Sequence, residues 1–215
     1  MSGPGLQPFQ RHDESEPPFD PQSWGGALIV MATVGALLWV VQFVNAADDY
    51  HLDRFGVKPR ELDGLWGLVT MPFLHAGFGH LLSNTIPLVL VGWVLLLSGL
   101  RTWLVVTALV VVGGGALTWL VGPGHTVIVG ASGMIFGWLG YLLARAYFSR
   151  KLKWIVVAVL VLIFFGTLLF GLFPSINSDV SWQAHVCGFA AGVGAGALLH
   201  PRGGETRLPS RPAVS

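Results

Sequence analysis

Apolar residues fall into six stretches, near Trp24–Ala46, His80–Leu97, Trp103–Val121, Ser132–Phe148, Trp154–Phe173 and Trp182–Leu199, separated by polar or glycine- and proline-bearing segments. Crossing a hydrocarbon core of about 30 Å takes about 20 helical residues at about 1.5 Å each, and each stretch approaches that length. None alternates polar and apolar positions as a barrel strand would, and an open strand edge finds no hydrogen-bond partner in lipid. The pattern therefore predicts an all-α membrane protein, a six-transmembrane-helix bundle over residues 24–200 with a long first extracytoplasmic loop. Residues 1–23 and 201–215, rich in proline, glycine and polar groups, are expected to be disordered cytoplasmic tails. The loop from Ala47 to Phe78 keeps Leu52, Phe55, Leu62, Leu65, Trp66, Leu68 and Phe73, so it is expected to fold onto the outer leaflet, with Trp66 at the interface.

Composition agrees with a bilayer as solvent. Hydrophobic residues make up 53% of the chain and charged ones 11%, well below the quarter or so of soluble domains. The formal charge of +1 leaves no basic field for nucleic acid. With the N-terminus inside, nine of the twelve basic residues fall on the inner side, while Arg54, Lys58 and Arg60 share the first outer loop with five acids. That distribution predicts a multi-pass protein of the cell (plasma) membrane with both termini cytoplasmic. Val44-Asn45-Ala46 imitates a signal-peptide cleavage site, but the first stretch is too long and follows the acidic head Asp13, Glu14, Glu16; it reads as a retained helix. Cys187, the single cysteine, reads as a small buried hydrophobe.

Polar side chains inside apolar stretches are costly and so point to chemistry. His80 and Asn84, four apart, share one helical face and offer two donors; they could stabilise an oxyanion or simply bond neighbouring helices. Ser132 lies within Gly130-Ala131-Ser132-Gly133, just after the break Gly122-Pro123-Gly124 and at the start of the fourth stretch. A helix start offers free N–H groups and the positive end of the dipole, which favour negative charge on an attacked carbonyl. His185 precedes Gly188, Gly192 and Gly196, and the fourth stretch carries Gly133, Gly137 and Gly140. Two such small-residue stripes let helices approach closely, which would bring His185 within reach of Ser132 as a base reaches its nucleophile. The bland reading of His185 is a histidine bonded to a neighbouring carbonyl. His75 and His125 read as loop residues or as supports behind the reacting groups rather than as ligands, His75 bonding a backbone carbonyl near the second helix, and Asp179 reads as a solvated loop acid.

Three motifs in order resemble the rhomboid intramembrane serine proteases of the bacterial six-helix type: His80-x-x-x-Asn84, Gly130-x-Ser132-Gly133 and Ala184-His185-x-x-Gly188-x-x-x-Gly192. The resemblance covers roughly Leu65 to Leu199. It implies a rhomboid-like bundle with Ser132 as nucleophile, His185 as general base and then acid, and an oxyanion hole from His80, Asn84 and the Ser132 backbone N–H. Gly130, Gly133, Phe136 and Gly188 would support these. It implies no metal or other cofactor, and substrates that are single-span transmembrane proteins cut near their outer ends. The fifth helix, with Phe164, Phe165 and Phe170, and the loop from Pro174 to Trp182 would move to admit them. Two departures stand out: Gly67 follows Trp66 where many members have arginine, and Phe136 stands where tyrosine is frequent.

Rival chemistries lack their residues. There is no His-Glu-x-x-His for a zinc protease, and no apolar stretch holds the aspartates an aspartyl protease needs. Paired inverted repeats or midplane ions of a transporter are not evident. The alternative that stays open is a non-proteolytic rhomboid-like protein that binds transmembrane segments without cutting them.

Overall fold

The computed structural model describes residues 19–174 and 181–200. Long helices dominate them: α1 (Trp24–Ala47), α2 (Phe78–Leu96), α3 (Leu100–Val121), α4 (Ser132–Ser149), α5 (Leu152–Phe165) and α6 (Trp182–Leu199). By length and composition α1, α2, α3 and α5, taken through its continuation to Leu172, could each cross a membrane. Nearly all of the two tails, and Asp179, lie outside the described residues.

Helix ends follow local chemistry. The Ser23 hydroxyl accepts from the Gly26 N–H and starts α1. Gly99, at φ +113°, turns the chain from α2 into α3, three residues earlier than the apolar pattern suggests. Within α3 the run Val110–Gly114 widens into a π turn, where glycines replace side chains that would otherwise crowd the neighbours. After Phe165 the helix of α5 tightens to 3-10 geometry over Gly166–Leu172, so the fifth apolar stretch is not one regular helix. Gly166 and Gly171 are poor helix formers and bracket this change.

Packing centres on α4 and α6. Gly188 rests on the Gly133 carbonyl and Gly192 on the Gly137 carbonyl, so closely that a Cβ at either would overlap the oxygen. One turn on, Gly140 lies against the Phe189 carbonyl. In lipid, where apolar burial gives no helix-to-helix driving force, such backbone approach supplies van der Waals contact. Side-chain hydrogen bonds tie in the outer helices: Trp138 Nε1 donates to Thr107 Oγ1 at 3.0 Å and Trp39 Nε1 to Thr85 Oγ1 at 3.1 Å.

The loop between α1 and α2 is anchored at one end of the bundle. Asn45, fully buried, donates to Asp53 and accepts from the Leu52 N–H. Val57 and Ile128 exchange both backbone hydrogen bonds in an isolated antiparallel bridge. Arg60 Nη1 donates to the carbonyls of Leu120 and Gly122, which a helix C-terminus leaves unpaired. Gly67 fits this loop for a steric reason: a Cβ there would overlap the backbone of Gly56 and Val57. Leu62, Trp66 and Val69 stay exposed along it.

Candidate active site

Ser132 is the first residue of α4, and the preceding loop holds it in place. Gly130 sits at φ +125°, a conformation that favours glycine, and a Cβ there would come 2.9 Å from His80 Nε2. The Gly130 N–H donates to the Met71 carbonyl at 2.9 Å. Next in sequence, the Ala131 N–H donates to His75 Nε2 at 3.3 Å. His75 therefore bonds a backbone N–H beside Ser132, not a carbonyl near α2, because the chain before α2 folds back under the α4 N-terminus. Its ring is fully buried and meets His80 edge to face, with centroids 5.2 Å apart. Burial first, and then the nearby His80 ring, push the His75 pKa down to about 4, so the ring is neutral at pH 7.

α6 brings His185 to Ser132. His185 Nε2 and Ser132 Oγ are 2.8 Å apart, and on its other side Nδ1 lies 2.9 Å from the Gly171 carbonyl oxygen. A carbonyl only accepts, so Nδ1 carries the proton and the lone pair of Nε2 faces the serine hydroxyl. This is the tautomer a general base needs. Phe136, one turn after Ser132, stacks flat on the imidazole, with centroids 4.2 Å apart and planes 14° from parallel. The Gly133–Gly188 contact sits beside this pair and sets how near the two helices come.

α2 supplies the facing wall. His80 Nε2 is buried and has no hydrogen-bond partner among the described residues. Asn84 Nδ2 donates to the His80 carbonyl at 2.9 Å, which leaves the second amide hydrogen free. With Ser132, Phe136, Leu168 and His185 they line a cavity of about 270 Å³. An unpaired buried donor is costly unless something occupies it, and an oxygen bearing negative charge would satisfy His80, Asn84 and the first-turn N–H of Ser132 together.

Gly171 is a part of the site that the sequence did not single out. Its contribution is a main-chain oxygen, for which no side-chain pattern exists; only the 3-10 geometry after α5 turns that oxygen toward His185. His125 lies in the loop before α4 and is not among the residues that line the cavity. Cys187 is buried on α6.

A family model described as the Rhomboid domain matches residues 62–202. The chain is 42% identical over 182 residues to Uncharacterized protein Rv1337 of Mycobacterium tuberculosis, covering 81% of this chain and 75% of that protein. It is 38% identical over 191 residues to Uncharacterized protein ML1171 of Mycobacterium leprae, covering 86% of this chain and 76% of that one. RHOMBOID-like protein 5 of Arabidopsis thaliana is 33% identical over 148 residues, 65% of this chain and 46% of that protein.

Proposed function

The chain belongs to the rhomboid family, and on that premise we propose that it is an intramembrane serine endopeptidase that cuts transmembrane segments with a Ser132–His185 dyad. The observation that carries this reading is the 2.8 Å contact between Ser132 Oγ and His185 Nε2, with Nδ1 tied to the Gly171 carbonyl.

Ser132 Oγ attacks the scissile carbonyl carbon while its proton passes to His185 Nε2. Negative charge collects on the carbonyl oxygen, which takes the His80 and Asn84 side-chain donors and the Ser132 N–H. His185 then protonates the leaving nitrogen, the C–N bond breaks, and an acyl-enzyme on Ser132 remains. Water in the cavity, deprotonated by His185, hydrolyses that ester and restores the hydroxyl. A substrate helix must unwind first, because the carbonyls of a regular helix are already hydrogen-bonded. The substrates are single-span membrane proteins cut near the outer end of their helices, admitted by movement of α5.

The protein is a multi-pass membrane protein. In this reading α4 and α6 also cross the bilayer, giving six spans. Both termini are cytoplasmic in the cell membrane, by the excess of lysine and arginine on that side.

The test is cleavage of a transmembrane substrate peptide by the purified protein in detergent. Ser132→Ala and His185→Ala should each abolish it, and a fluorophosphonate probe should label wild type and not Ser132→Ala. Cleavage retained by Ser132→Ala would sink the serine mechanism. A folded wild type that neither labels nor cleaves would favour a rhomboid-like binder. Asn84→Ala should slow turnover by up to about 10²- to 10³-fold if its amide serves the oxyanion.

A further inference from the structure

A second cavity, of about 680 Å³, opens at the far end of the bundle, near the last turns of α4 and α6 and the first turns of α3 and α5. It lies about 20 Å from Ser132 along α4, the rise of the thirteen residues to Arg145. Arg101, Arg145 and Lys151 line it, with His200 beside them, and among the described residues no acidic one is part of its wall. None of the three cations is in a salt bridge among the described residues.

Arg145 is held rather than loose. Nη1 donates to the Tyr141 hydroxyl at 2.7 Å, and the guanidinium lies 3.8 Å over the Trp154 ring. Stacking on Trp154 and bonding to Tyr141 fix the plane of the fork, leaving most of its five N–H groups for another acceptor. A cationic side chain that merely marks the inner side of a membrane protein needs no such fixing. The volume falls in the range of small-molecule sites, about 300 to 1,000 Å³. The rim is amphiphilic: Val105 and Leu199, both exposed, flank the charged groups on helices whose outer faces are apolar.

We propose that this cavity binds an anionic phosphate group, with Arg145 and Arg101 as its forks and Lys151 as a mobile cation. The apolar rim favours the headgroup of an anionic phospholipid, whose acyl chains would run along Val105 and Leu199. The site is separate from Ser132 and does not depend on the chain being a protease.

Native mass spectrometry of the purified full chain in detergent tests this, with phosphatidylglycerol and phosphatidylcholine of identical acyl chains titrated in parallel. Phosphatidylglycerol should bind at least about tenfold more tightly. Each cation removed should weaken it about fivefold, so Arg101→Gln with Arg145→Gln costs about 25-fold. Arg145→Lys, which keeps the charge but loses the fork and the stacking, should fall between wild type and Arg145→Gln. If Arg145→Gln unfolds the bundle, judged by circular dichroism, the exposed pair Arg101→Gln and Lys151→Gln serves instead. Inorganic phosphate in a third arm separates the sources: displacement of the lipid at millimolar phosphate assigns a free-phosphate site, and no displacement assigns the lipid. Equal affinity for the two lipids, or unchanged affinity in a folded double variant, overturns the proposal.

Discussion

α4 and α5 are consecutive in the chain and opposite in character. α5 is almost purely aliphatic and aromatic, yet only Ala158 and Val161 of its fourteen residues are buried, and Leu160, Ile163 and Phe164 project outward. α4 carries glycines, two serines, two tyrosines and an arginine, yet twelve of its eighteen residues are buried. In water this would be inverted. In lipid the tails are as apolar as leucine, so apolarity marks the helix that faces solvent, while small and polar residues mark the helix that faces protein. The two helices are nonetheless coupled, because the 3-10 turn after α5 lends its Gly171 carbonyl to the histidine that α6 holds against α4. A tightly packed pair, α4 with α6, thus carries Ser132 and His185, and a lightly packed element orients the histidine.

Breaking the tight pair should have the largest effect. In Gly188→Val the branched side chain would meet the Gly133 backbone, so α4 and α6 must separate. Activity should vanish, and thermal unfolding in detergent should show a loss of about 3 kcal/mol or more, at the upper end of overpacking costs. If Gly188→Val stays active with unchanged stability, the glycine contact is not what sets the dyad distance.

Perturbing the loose element should separate activity from stability. A Cβ at Gly171 would lie 3.0 Å from the Phe136 ring and 3.1 Å from His185 Nδ1. Gly171→Ala should therefore lower kcat by about a hundredfold through a displaced imidazole. The melting temperature should hardly move, since the region is lightly packed. A comparable loss of both would show that this turn is part of the core.

His75 offers a subtler test, through the loop beneath Ser132. His75→Ala removes the acceptor for the Ala131 N–H and should cost about tenfold in activity, the worth of one buried hydrogen bond. The pH dependence has a definite sign. With a folded pKa of about 4 against 6.5 unfolded, the unfolded chain binds the extra proton between those values. The stability from neutral His75 is fully present above pH 6.5 and is lost as pH falls toward 4, on the order of 3 kcal/mol in all. Urea unfolding from pH 7 to pH 4 should show this loss in wild type and a smaller one in His75→Gln.

The smallest effect belongs to the lipid face. Phe164→Ala on α5 removes an exposed ring and should change stability by less than about 0.5 kcal/mol. A loss of 2 kcal/mol or more would mean that Phe164 contacts another part of the protein, which would blur the contrast between α4 and α5.

Much of this architecture was readable along the chain, in unequal measure. The apolar runs gave α1, α2, α3 and α5 directly, because a bilayer demands about 20 consecutive apolar residues whatever the neighbours are. α4 and α6 were readable by their glycine spacing and by the company of Ser132 and His185. Gly99, at φ +113°, shifted the start of α3, since turn conformation outranks hydropathy at a helix end. The break of α5 at Gly166 was not readable, because a glycine inside an apolar run is equally common within membrane helices.

The order of residues was enough for the solvent, the helical class and which polar groups had to be hidden within it, because those follow from transfer free energies summed residue by residue. It also placed two glycine stripes at compatible spacing, which permits a close helix pair without fixing its register. It took the folded chain to show that Gly188 meets the Gly133 carbonyl, that Gly171 fixes the tautomer of His185, that His75 supports Ala131 and that Arg145 stacks over Trp154. Those are contacts between distant segments, two of them through main-chain oxygens that every residue possesses. A backbone carbonyl acquires a role only from where the fold turns it.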